Sequence, residues 1–211
     1  MAQPIDTTSF FADTRAFLSE LAAHNTRDWF AAEKTRYDMQ LKRPAERLMT
    51  DVARWLADST GVMPGRKLFR PHRDVRFSED KTPYHTHLHM LWSLPDGRAW
   101  MLGISPTYAT AGAGIMTFTA RQTDVFRAEV DGPEGNILAT LLDGWRIDPP
   151  ALKRVPAPWP PDHPRENLLR RKGLVVWADD LDDALSTDPD ATLRDVFTRA
   201  QPVMDWLARV V

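Results

Sequence analysis

The chain has 211 residues, a formal net charge of −2, a pI near 6.3 and an apolar share of 43%. That size and composition suit one globular domain with a sizeable core, and they lack the basic excess of a nucleic-acid-binding protein. There is no cysteine, which excludes disulfide scaffolds, thiol catalysis and Cys-ligated metals. The opening Met-Ala-Gln-Pro-Ile-Asp-Thr-Thr has no secretory pattern, and no run approaches the roughly 18 apolar residues of a membrane helix. The expectation is a cytoplasmic chain, 1–211 as a single domain, with no membrane or nucleic-acid partner.

In chain order, Phe10, Thr14, Phe17, Leu18 and Leu21 recur at helical spacing and predict a helix over 10–23. Asn25 reads as the N-cap of the next helix, with Asp28 three residues on. That helix carries Trp29, Phe30 and Tyr37, kinks or breaks before Pro44, resumes with Leu48, Val52, Trp55 and Leu56, and ends at Gly61. Alternation then predicts strands over 67–77 and 84–92. Pro95-Asp96-Gly97 is a turn leading to a return strand, Ala99 to Ile104, and another strand is expected over 108–118. Helices are expected over 120–130 and 134–142. The span 149–164 holds seven prolines and reads as an extended connection. A short helix over 165–172 with Gly173 as C-cap, a strand over 174–177 and an amphipathic helix over 192–210 complete the chain. Hairpin-joined strands flanked by helices predict an α+β fold, with a mostly antiparallel sheet in the middle of the chain and helices from both ends packed on it. The eight dispersed tryptophans read as core or interface anchors.

Chemistry is concentrated between Arg70 and His89. From Arg66 to Lys81 there are six Lys/Arg against three acids, whereas Asp179 to Asp195 holds seven Asp against one Arg. On a strand, Arg70, His72, Asp74 and Arg76 would share one face. Guanidinium forks close together suit a carboxylate or phosphate, since each donates two parallel hydrogen bonds. The bland reading is a solvated face of cheap ion pairs. His85, His87 and His89 also share a face by period two, and with Asp74 they are the ligands a metal would find. No His-Glu-x-x-His accompanies them, and the expectation is that they hold no metal. Gly112 and Gly114 lack the third glycine of a dinucleotide fingerprint and read as close packing or a bulge. Ser78, Thr82 and Ser105 have no nucleophile elbow around them. Asp162-His163-Pro164-Arg165 either contributes to a site or caps the helix that follows.

These segments resemble a bacterial family of conserved hypothetical proteins, domain of unknown function 2461. The resemblance rests on Phe17-Leu18 with Leu21, on Asn25 to Phe30 with Lys34 and Tyr37, and above all on Arg73 to Ser78 with Asp80 to Tyr84. It continues through Gly112-Ala113-Gly114, Ala151 to Arg154, Asp162 to Arg165 and Leu169 to Gly173. The resemblance implies a family without an assigned activity. It also implies Lys at the place of His85 and a small residue at that of His89, so a three-histidine metal site would be peculiar to this chain.

The favoured reading is therefore a pocket for an anionic small molecule, built from Arg70, Arg73, Arg76, Lys81 and Tyr84. Whether it is an enzyme is open; Asp74 and His87 are the acid/base candidates. No cofactor is implied. The rival reading is a non-catalytic module in which the motif is a structural ion-pair network and an aromatic surface binds a protein not identified by the sequence.

Overall fold

A computed structural model describes residues 8–211. The N-terminal run inspected for a leader lies outside the described residues, apart from Thr8. The elements are α1 (Thr8–Ala23), α2 (Arg27–Ala32), α3 (Lys34–Arg36), a π-helical stretch (Tyr37–Lys42), α4 (Arg43–Thr60), β1 (Gly65–Leu68), β2 (Leu88–Ser93), β3 (Ala99–Ile104) and β4 (Ala109–Ile115). They continue with α5 (Ala120–Asp131), α6 (Glu134–Leu141), β5 (Arg146–Ile147), α7 (Glu166–Leu169), β6 (Leu174–Ala178), α8 (Asp182–Thr187) and α9 (Pro189–Val210). The fold is α+β, with an antiparallel sheet of order β1-β2-β3-β4-β6-β5 in mid-chain and helices at both ends.

The chain divides into two compact units. The first holds residues 8–92, Met101–Ala111 and Asp179–Asp195; the second holds Ser93–Trp100, Gly112–Ala178 and Val196–Val211. In the first unit, Phe10, Phe17, Leu21, Leu41, Leu48, Leu56, Met90 and Trp92 are fully buried. Each such side chain contributes about 1.5–3 kcal/mol relative to exposure. Trp92 also donates its indole N–H to the Met49 carbonyl at 2.9 Å, so its polar atom is satisfied inside the core. In the second unit Phe126 packs tilted against Phe118 and meets Trp206 edge-on, and Trp100 lies against Phe197. There β6 pairs with β5 with Ile147 opposite Val176.

Several expectations are corrected by where backbone groups find partners. Thr26, not Asn25, caps α2, accepting from the Trp29 N–H at 3.3 Å. The Asn25 amide instead clamps Tyr84, donating to its carbonyl at 2.9 Å and accepting its N–H at 3.1 Å. Pro44 does not break the helix: it lies in the first turn of α4, directly after the π-helical stretch, where the Arg43 N–H reaches back to the Asp38 carbonyl. The strand expected over 67–77 stops at Leu68, and the one expected over 84–92 starts at Leu88. Between them His72 and Tyr84 form a single antiparallel bridge. Gly173 is not a helix cap, since α7 ends at Leu169 with Arg170 as its cap. A Cβ at Gly173 would lie 2.2 Å from the Met116 carbonyl oxygen, so close backbone approach is what requires glycine there.

Candidate functional site

Residues 73–83 form an arm without regular strand structure, closed at its base by Arg73 N–H to Pro83 O at 2.8 Å and His85 N–H to Pro71 O at 2.6 Å. Its charges pair within it. The Asp74 carboxylate accepts from Arg76 Nε at 2.9 Å and Nη2 at 2.6 Å, and Lys81 Nζ donates to the Val75 carbonyl at 3.1 Å. Arg73 Nη1 donates to both Asp80 and the Thr82 hydroxyl. Asp80 also accepts the Thr82 N–H at 2.9 Å; that bond first, and Arg73 second, holds its carboxyl at about 2. The Arg76 hydrogen bonds likewise lower Asp74. Phe77 is 97% exposed at the tip, with the Arg76 guanidinium 5.8 Å from its ring centre.

Of the residues expected to bind an anion, Arg70 is the one that lines a described cavity. This cavity, of about 260 Å³, lies in the first unit. Phe30, Tyr37 and Phe69 give it aromatic walls, and the π-helical stretch supplies Asp38 and Lys42. π-Helical insertions recur at functional sites. Lys34, Asp38, Lys42 and Glu46, four residues apart and alternating in sign, all line it. Lys34 pairs with Asp38, and Lys42 stands 4.0 Å from Glu46. Arg70 has no hydrogen bond or ion pair among the described residues. Asp38 Oδ1 is buried without a hydrogen-bond partner among them. Burial, then the charges of Asp38 and Glu46, pushes the Tyr37 hydroxyl up to about 12. Arg73, Arg76 and Lys81 do not line this cavity. Tyr84 is buried and stacks on Phe30, ring centres 4.1 Å apart, beneath the wall that Phe30 provides.

The three histidines form a column, with ring centres 4.8 Å apart for His85–His87 and 3.9 Å for His87–His89. The first pair is tilted and the second is stacked face to face. Among the described residues no group of three or more His, Asp or Glu is placed to hold one metal ion. Burial, then the neighbouring His89 and His85, brings His87 down to about 4, so the column is neutral at pH 7. His89 Nε2 lies 2.8 Å from the Tyr108 hydroxyl. Of the two acid/base candidates, then, Asp74 is exposed and engaged by Arg76, and His87 is a neutral ring between two others.

Gly112 and Gly114 are packing glycines: a Cβ would come within 2.4 Å of Trp177 and 2.1 Å of the Leu174 carbonyl. In the run 162–165, His163 is buried against Asp131 at 3.0 Å. Arg165 caps the end of α5, donating Nε to Val130 O at 2.5 Å and Nη2 to Asp131 O at 2.7 Å. Sequence reasoning missed Lys34, Asp38, Lys42 and Glu46 as a set, although their four-residue spacing marks a single stripe on a helix.

The model of a family of conserved hypothetical proteins, DUF2461, matches residues 13–206. No curated protein and no solved structure matches the chain.

Proposed function

The chain belongs to the DUF2461 family, whose description names no activity, and from its own side chains we propose that it binds a small amphoteric molecule in the cavity beside Arg70. Arg70 takes the ligand's carboxylate or phosphate, and Asp38 takes a hydrogen-bond donor such as an ammonium group. The observation that carries this reading is one cavity lined both by Arg70, which has no hydrogen bond or ion pair among the described residues, and by Asp38, whose Oδ1 has no hydrogen-bond partner among them while its Oδ2 pairs with Lys34. A buried acceptor left unsatisfied costs about 1–3 kcal/mol, which a ligand donor recovers. Aromatic walls with a few polar groups of both signs are the usual make-up of a small-molecule site.

A calorimetric comparison of free α-amino acids with the same acids lacking the amine tests it. The amino acids should bind and their amine-free counterparts should bind more weakly. Asp38→Asn should erase that difference. Equal binding of both series would sink the amphoteric assignment.

A second reading, a protein-interaction module, is favoured by one observation: an internally braced arm holds Phe77 almost wholly in solvent beside Arg76. Preorganised aromatic and Arg side chains are the usual anchors of protein interfaces.

A further inference from the structure

Arg171 lies between α7 and β6, in the second compact unit, and is 4% exposed. Its Nη1 donates to the Asp148 backbone carbonyl at 2.7 Å and its Nη2 to Asn167 Oδ1 at 2.7 Å. Both acceptors are neutral. Its Nε is buried with no partner among the described residues. The neighbouring Arg170 is different, ion-paired to Glu166 at 2.9 Å. The carboxylate whose charge acts on Arg171 is that of Asp148, but its oxygens accept from Arg146 Nη1 at 2.9 Å and Trp177 Nε1 at 3.1 Å. A guanidinium does not lose its proton in a protein. Arg171 is therefore a nearly buried cation held by neutral acceptors, with its Nε unpartnered among the described residues. That arrangement is costly unless an anion joins it.

A cavity of about 130 Å³ adjoins this group, lined by Asp148, Pro149, Ala151, Arg171, Lys172 and Gly173 among others. Lys172 is exposed and makes no ion pair among the described residues. With Asp148 engaged by Arg146, two cations remain to set the sign of the cavity. We propose that this cavity is a binding site for a small oxyanion, a phosphate or carboxylate group, that accepts hydrogen bonds from the Arg171 and Lys172 side chains. It shares no residue with the Arg70 cavity and stands independently of the function proposed there.

The test uses the ¹⁵N-labelled full chain, following the Nε–Hε resonance of Arg171, identified by its loss in Arg171→Lys. The probes are inorganic phosphate, sulfate and acetate, each titrated at an ionic strength matched with sodium chloride, with thermal melts alongside. At least one probe should shift the resonance saturably and raise the melting temperature. Phosphate or sulfate doing so assigns a tetrahedral oxyanion, and acetate alone a carboxylate. Lys172→Glu, an exposed substitution that leaves folding intact, should weaken the effective probe about tenfold. Arg70→Ala should leave it unchanged. A resonance that none of the three probes moves, or that moves with the same affinity in Lys172→Glu, overturns the proposal.

Discussion

Arg76 and Arg70 are six residues apart and have different environments. Arg76 is 76% exposed in its side chain and bound to Asp74. Exposed pairs of this kind contribute little to folding. Arg76→Ala should leave the thermal melting temperature unchanged within experimental error while loosening the arm, read as faster amide exchange at Thr82. His87 carries a pH dependence. Its folded value of about 4 lies below the usual 6.5, so the unfolded chain binds the proton more readily between those values. Stability is complete above about pH 6.5 and falls as pH drops toward 4. The loss is about 1–2 kcal/mol after allowance for the partial exposure of the ring. His87→Phe should flatten the denaturation midpoint over that range, and an unchanged slope would contradict the assignment.

At the scale of elements, long-range side-chain hydrogen bonds brace the arm's base and the end of α5. Asn25 joins the start of α2 to the arm's base by two hydrogen bonds to the Tyr84 backbone. Asn25→Ala should cost about 1–3 kcal/mol in chemical denaturation and increase exchange of the Tyr84 amide. Arg165 closes the end of α5 with three donors, the third reaching Asn136 Oδ1 at 2.6 Å. Its removal strands two helix-terminal carbonyls and should cost about 2–4 kcal/mol in the same measurement. Arg165→Lys should not restore the loss, because one ammonium cannot span the positions of a planar fork. A full rescue by Lys would mean that charge alone mattered.

For the molecule as a whole, much of the fold was legible in the sequence and much of the candidate site was not. The turn at Pro95-Asp96-Gly97 and the strand Ala99–Ile104 follow from local chemistry, with Gly97 at φ 93° supplying the conformation that turn needs. The run from Arg70 to Phe77 alternates like a strand but lacks a continuous partner. Beyond Arg70, the side chains of Arg73, Asp74, Arg76 and Lys81 find polar partners two to nine residues away, a local solution that periodicity does not detect. The amide of Asn25 was read as a cap because capping is a local rule, whereas its partner lies 59 residues away. The cavity beside Arg70 was missed for the same reason. Its charged stripe is visible along Lys34 to Glu46, but that the stripe and Arg70 line one cavity is a tertiary fact.

The measurement that bears most directly on the proposed pocket is the dissociation constant of the tightest-binding free α-amino acid for the parent chain and for Arg70→Ala, taken with their melting temperatures. The pocket reading predicts saturable binding that Arg70→Ala weakens by about tenfold or more, with melting temperatures that agree to within a few degrees. Equal dissociation constants in the two proteins, or no saturable binding of any amino acid to the parent at millimolar concentration, would contradict it.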